Sequence, residues 1–150
     1  MITSSLFSSN KFFRTSDLYV AGVNGIGYYA SASIDRDPVV ILPGLAFEQV
    51  VVSESNLTIT VLAVTTHGQL YYVQGVRQSE GKIPTFFASG IPIHEGVERL
   101  STLYNAKTNA CEVLYVGQGS NQIVHFLKDI TTSLWMEKPL LVSAVDALTT

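Results

Sequence analysis

Residues 57–76 read LTITVLAVTTHGQLYYVQGV, two runs of β-branched, aromatic and other apolar residues around a polar turn. Val, Ile, Thr and Tyr favour strands, and Gly68 supplies the backbone freedom that a tight turn needs. The stretch therefore predicts a β-hairpin, with one strand at 57–65 and its partner at 69–76.

The same hairpin pattern occurs twice more in the chain. Leu18 and Leu114 begin stretches that match the one beginning at Leu62, so the starts are 44 and 52 residues apart. Each stretch has a Gly-containing polar turn before a second apolar run, as a hairpin requires. We therefore expect hairpin strands at 18–22 and 26–31, and again at 112–117 and 122–127.

A proline-containing crossing repeats in phase with the hairpins. Leu45, Ile93 and Leu141 each follow such a proline and lie 48 residues apart. Proline cannot donate a hydrogen bond to a central sheet ladder, so it favours the end of a strand. The repeat predicts a strand before each crossing, at 38–42, 84–88 and 133–136, and one after it, at 46–52, 97–103 and from 142 onward. A first strand within 7–13 would complete the first unit.

Four short strands in every 44–52 residues are the period of a β-propeller blade. Runs such as Val50–Val52 and Tyr71–Val73 are apolar at successive positions, which favours sheets buried on both faces. The sequence thus predicts an all-β fold of β-propeller-type blades of four antiparallel strands, about three blades per chain. A β-sandwich is the alternative. The expected blades are 5–43, 44–92 and 93–139, with 140–150 as the first strand of a further blade or a closure strand.

An arc of about three blades leaves two sheet faces and long edges uncovered, because propellers have roughly four to eight blades. Association of copies would cover them, and a dimer, which we favour, would place about six blades around one axis. The other possibility is that the chain is a segment of a longer repeat protein.

The composition excludes several functional classes. Of the 150 residues, 47% are apolar and 14% charged, and the formal net charge is −3. The high apolar content argues against disorder, and the negative charge argues against a nucleic-acid partner. No apolar run approaches the roughly 20 residues of a membrane-spanning helix, so we expect no membrane span. The chain begins without a signal-peptide pattern, which leaves the compartment open between extracellular and cytoplasmic.

Residues 126–135, FLKDITTSLW, combine a strand, a short Asp/Thr turn and a tryptophan on the next strand. This combination resembles the blades of tectonin-like and related lectin-like propellers. The resemblance implies a non-enzymatic, carbohydrate-binding module with a glycan partner. The alternative is a protein-interaction or structural propeller segment of a larger secreted or toxin-like protein.

The candidate ligand-binding residues are Tyr28, Tyr72, Arg77 and Trp135. Aromatic rings stack on sugar rings because both present flat apolar faces, and Tyr28 and Tyr72 share one repeat position. Arg77 belongs to a charged segment between the third and fourth predicted strands of its unit. Packing between blades is the alternative for the aromatic residues, and a solvated turn is the alternative for Arg77.

No catalytic residue, metal or cofactor is expected. The sequence contains no phosphate-binding loop, nucleophile elbow or short-spaced pair of metal ligands. A hydrolase would need two converging carboxylates. Asp17, Glu112 and Asp129 are the acids nearest the predicted strands, and we expect that they do not converge.

Overall fold

A computed structural model describes the backbone of residues 4–10, 15–30, 37–55, 58–77, 83–105, 110–117, 122–128 and 135–143, and the side chains of 17–30, 37–54, 58–77 and 83–100. These residues form three antiparallel sheets of four strands each, without an α-helix, so the predicted all-β class is confirmed. The first sheet contains β1 (Ser4–Asn10), β2 (Thr15–Gly22), β3 (Gly25–Tyr29) and β4 (Val39–Ile41). The second contains β5 (Phe47–Ser55), β6 (Thr58–Thr65), β7 (Leu70–Val76) and β8 (Thr85–Ala88). The third contains β9 (Val97–Asn105), β10 (Ala110–Gly117), β11 (Gln122–Lys128) and β12 (Trp135–Ser143).

Each sheet is a meander in which strands adjacent in sequence are also adjacent in space. The second sheet follows the sequence prediction within a few residues at every strand. In the third sheet, β9 is a strand where part of the sequence also has helical spacing. No described helix has the length and apolar character needed to cross a membrane.

The first hairpin turns through only two residues, Val23 and Asn24, between the paired Gly22 and Gly25. Gly25 takes the positive φ of 91°, and a side chain there would lie 2.6 Å from the Ile41 carbonyl oxygen. This close approach lets the Gly25 amide donate to the Leu45 carbonyl at 2.6 Å. The hairpin tip is thereby bound to the crossing that leads into the second sheet.

The second hairpin is bound to its crossing in the same way. The Val97 amide donates to the Gly68 carbonyl at 2.9 Å, and the Leu70 amide donates to the His94 carbonyl at 2.8 Å. The turn itself is stabilised by the Thr65 hydroxyl, which accepts from the Gln69 amide at 3.1 Å. The hairpin tips and the crossings of the first two units therefore meet at corresponding places.

The second sheet lies between the other two. Its near face, which includes Val61, Ala63 and Val73, packs against the first sheet. Its far face, which includes Leu62, Val64 and Leu70, packs against Val97 and Leu100 of β9. Every residue of β6 after Thr58 is buried as a result, which agrees with the successive apolar residues of this strand.

Among the described residues, the first sheet is covered on one face only. Its closed face carries Tyr19, Ala21, Ile26 and Tyr28, which are buried against the second sheet. Its open face carries Leu18, Val20, Tyr29 and Val40, which are half-buried or exposed. The burial of β2 alternates along the strand, as expected where a sheet has one covered face.

The last strand is longer than the sequence pattern predicts. β12 continues through Pro139 to Ser143, although the proline was expected to end a strand before it. Pro139 is tolerated because β12 is an edge strand and pairs with β11 next to a shift in register between Gln122 and Val124. Residues 142 and 143, where a separate strand was expected to begin, therefore belong to β12. Residues 144–150 lie outside the described residues.

Candidate functional site

Two of the four predicted ligand-binding residues lie in the protein interior. Tyr28 is 2% exposed and Arg77 is 3% exposed. Both are therefore buried between sheets and do not lie on a solvated rim. Tyr72 is half-buried beside the interface between the second and third sheets. Trp135 begins β12 opposite Lys128, and its side chain lies outside the described residues. The structure therefore does not bring Tyr28, Tyr72 and Arg77 to one accessible surface.

Arg77 instead binds two buried carboxylates from different sheets, and we call Asp17, Glu54 and Arg77 the Arg77 cluster. Its guanidinium donates through Nε to Glu54 Oε2 at 2.7 Å and through Nη2 to Glu54 Oε1 at 3.2 Å. The same Nη2 donates to Asp17 Oδ2. All three side chains are at most 2% exposed. Glu54 and Arg77 belong to the second unit and Asp17 to the first, so the cluster joins two sheets.

The two-residue period of the strands brings these charges together. Asp17 has the same parity as Tyr19 and Ala21 and therefore lies on the closed face of the first sheet. Glu54 likewise follows Val50 and Val52, which belong to the near face of the second sheet. Arg77 follows Tyr71 and Val73 in the same way. Each charged residue thus ends a row of apolar residues, and the rows of the two sheets face one another.

Three aromatic rings pack beside the cluster. Tyr19 and Tyr28 have ring centroids 5.2 Å apart, and Phe86 lies 5.2 Å from Tyr28 and 6.4 Å from Tyr19 in edge contacts. Phe86 comes from β8 of the second sheet and faces Gly75, its partner in register. The rings exclude water from the polar groups beside them, which strengthens the ion pairs.

The Tyr28 hydroxyl donates a hydrogen bond to Asp17, whereas the buried Tyr19 hydroxyl has no hydrogen-bond partner in the described part of the chain. Burial raises the pKa of both hydroxyls well above the ordinary tyrosine value. Tyr28, Glu54 and Asp17 raise the pKa of Tyr19 further, and Asp17 raises that of Tyr28. Both tyrosine hydroxyls therefore stay protonated in the folded protein at neutral pH.

Burial alone would lower the pKa of Arg77, but its hydrogen bonds to Glu54 and Asp17 outweigh that effect and raise its pKa above the ordinary value. Arg77 remains charged, and its charge is directed at both carboxylates. Asp17 and Glu54 thus converge, a pairing that sequence reasoning missed because Glu54 was not considered. Both carboxylates are buried and bound by Arg77. The side chains of Glu112 and Asp129 lie outside the described residues.

A different polar contact joins the second and third sheets. The Gln49 amide group donates from Nε2 to the Leu100 carbonyl at 2.8 Å and accepts from the Leu100 amide at Oε1 at 3.1 Å. A single side chain thereby satisfies both the backbone amide and the backbone carbonyl of one residue of β9. Each interface between apolar sheets therefore contains its own polar contact.

The accessible apolar surface lies elsewhere. On the open face of the first sheet, Val40 is 46% exposed, and the Tyr29 ring and Pro38 lie over Gly27. On the outer strand of the second sheet and its flanks, Ile83, Phe87 and Ile91 are exposed. Within the residues whose side chains are described, no three His, Cys, Asp or Glu side chains are grouped closely enough to hold a metal ion.

Comparisons with known proteins give no relative from which a role could be transferred. No family model, no curated protein and no solved structure matches the chain. Its function therefore has to be inferred from its own residues and their packing.

Proposed function

We propose that this chain is a non-enzymatic interaction module of β-propeller type, which acts by binding a further sheet on the open face of its first sheet. The observation that carries the proposal is the difference in burial between neighbouring sheets. β6 of the second sheet is buried along both faces, whereas the first sheet keeps Leu18, Val20, Tyr29 and Val40 partly in solvent. An apolar sheet face in this position is typical of an interaction surface.

A second copy of the chain is the proposed partner. The two interfaces within the chain are each made by one four-stranded sheet lying against the next, so a further sheet of the same kind continues an existing mode of packing. Two chains of about three blades would supply about six, which lies within the range of closed propellers. This arrangement covers the open face without any new type of contact.

The test is a substitution on the open face with a matched control. Val40→Lys places a charge on this face, and Val23→Lys places the same charge at the hairpin tip, where Val23 is 65% exposed. We expect Val40→Lys to weaken self-association at least tenfold, equivalent to about 1.4 kcal/mol. Val23→Lys should leave it unchanged. Light scattering on a sizing column across a concentration series measures both.

Two outcomes would contradict the proposal. One is a wild-type protein that stays monomeric at every concentration. The other is equal dissociation of both variants, which would place the contact elsewhere. Both valines are substantially exposed, so each substitution should change folding stability by less than about 0.5 kcal/mol, and circular dichroism serves as the folding control.

Carbohydrate binding is the second candidate function. The resemblance of residues 126–135 to lectin-like propellers supports it, as does Tyr72, a described aromatic residue at the repeat position that keeps some exposure. A glycan array probed with wild type and Tyr72→Ala decides between the candidates. Specific binding that Tyr72→Ala abolishes, and that Val40→Lys leaves intact, would favour the lectin function over the interaction module.

A further inference from the structure

We infer that the Arg77 cluster determines which sheet can cover the near face of the second sheet, and so fixes the order in which the units pack. Arg77 and Glu54 stand on that near face, and Asp17 stands on the closed face of the first sheet. The inference holds whether or not the open face binds a second copy, because it concerns pairing within the chain.

Apolar packing alone does not discriminate among the faces of this molecule. Among the side chains that the structure describes, the closed face and open face of the first sheet, and both faces of the second, consist mainly of aliphatic and aromatic residues. Hydrophobic attraction is non-directional and depends chiefly on the area buried. A chain with several similar apolar faces therefore needs a further device to select one arrangement.

Asp17 provides this selection because it places a charge among the apolar side chains described for the closed face. Against a face without a cation, its carboxylate would be buried without the charge of Arg77, which is unfavourable. On the described part of the second sheet, Arg77 is the buried cation, and it stands on the near face. The closed face of the first sheet thus fits the near face and is rejected by the far face, whose apolar residues include Leu62, Val64 and Leu70.

Glu54 keeps Arg77 ready for this contact. Its two oxygens accept from Nε and Nη2 of the guanidinium, which fixes the orientation of the planar group. Nη2 also donates to Asp17 of the neighbouring sheet. Glu54 is therefore a positioning residue, and the Asp17–Arg77 contact carries the selectivity.

The experiment replaces the cluster with apolar residues of similar volume in the full chain, as Asp17→Leu, Glu54→Met and Arg77→Met together. Removing all three charges leaves no unpaired ion, and such replacements are often neutral or stabilising. We expect a melting temperature equal to or above that of wild type. In ¹H–¹⁵N correlation spectra we expect one amide cross-peak per residue for wild type, and two or more for residues of the first and second sheets in the variant. Native mass spectra of the variant should show added higher-mass species.

A second variant and a control keep the test decisive. Asp17→Leu alone leaves the Arg77–Glu54 pair neutral and removes only the discriminating charge. It should also give multiple cross-peaks, and it provides the test if the triple variant does not fold. Tyr28→Phe removes a hydrogen bond from the cluster but keeps every charge, and should keep a single set. A single set of cross-peaks and a wild-type mass in Asp17→Leu would overturn the inference.

Discussion

Tyr19 and Tyr28 face each other across β2 and β3, but their hydroxyl groups are in different situations. Tyr28 donates to Asp17, whereas the buried Tyr19 hydroxyl has no partner in the described part of the chain. A buried polar group without a hydrogen bond reduces stability, and a hydrogen bond to a charged acceptor increases it. The same chemical change at these two positions should therefore have opposite effects.

Removing the hydroxyl group from each tyrosine tests this difference. Tyr19→Phe should raise the free energy of unfolding by about 1 kcal/mol, because it removes an unsatisfied group. Tyr28→Phe should lower the free energy of unfolding by about 1.5–3 kcal/mol, because it removes a hydrogen bond to a carboxylate. Urea unfolding followed by circular dichroism gives both values. A loss of stability in Tyr19→Phe similar to that in Tyr28→Phe would show that the Tyr19 hydroxyl is satisfied.

The same two hydroxyls make stability depend on pH in the alkaline range. Their pKa values are raised in the folded protein, so only the unfolded chain releases these protons near the ordinary tyrosine pKa of about 10. Their contribution to stability is fully present below about pH 10 and is lost as pH rises toward the folded pKa. With two such groups, the free energy of unfolding should fall by about 2.7 kcal/mol per pH unit above that point.

Unfolding measured at a series of pH values, with tyrosinate absorbance as the signal, checks this dependence. The absorbance of Tyr19 and Tyr28 should appear together with unfolding, and each Tyr→Phe variant should reduce that step by one tyrosinate. Tyrosinate absorbance from both groups before any loss of β-structure would contradict the expectation.

At the scale of single elements, β7 and β8 depend on a glycine. Gly75 pairs with Phe86, and a methyl group at position 75 would lie 2.9 Å from Phe86 Cε1 and 3.0 Å from Ile59 Cβ. Phe86 uses that space to reach Tyr19 and Tyr28 across the interface. The absence of a side chain at residue 75 thus allows the fourth strand to take part in packing between sheets.

Gly75→Ala should destabilise the protein by about 1–3 kcal/mol through overpacking. Gly22→Ala is the matched control, because a methyl group there would have its nearest neighbour at an ordinary 3.4 Å. The control should be neutral or slightly stabilising, since alanine restricts the unfolded chain. Thermal unfolding of the two variants compares them, and equal melting temperatures would show that Phe86 can move aside at little cost.

The strands were largely predictable because their information is local. The apolar runs of β6 and β7 and the turn at Thr66–Gln69 place the second sheet almost residue by residue. The extension of β12 through Pro139 was not predictable, since a proline is tolerated only where the strand lies at an edge. Edge position depends on which strands pair, and the local sequence does not contain that information.

At the scale of the whole molecule, the first and third sheets both pack against the second sheet. Its burial on both faces was expected from successive apolar residues, but the Arg77 cluster was not. Arg77 was assigned to a charged loop, although it continues the two-residue row of Tyr71 and Val73. Reading that parity beyond the strand end would have placed Arg77 on a buried face, but its partner Asp17, 60 residues away, becomes apparent only when the sheets are stacked.

The contact between Gln49 and Leu100 has a consequence for sequence divergence. Gln49 binds the main-chain amide and carbonyl of residue 100 and makes no hydrogen bond to its side chain. Any amino acid other than proline at position 100 keeps both main-chain groups, whereas almost any change at position 49 removes both bonds at once. The polar part of this interface is therefore specified by position 49 alone, and position 100 is constrained only through the packing of its buried side chain against the second sheet.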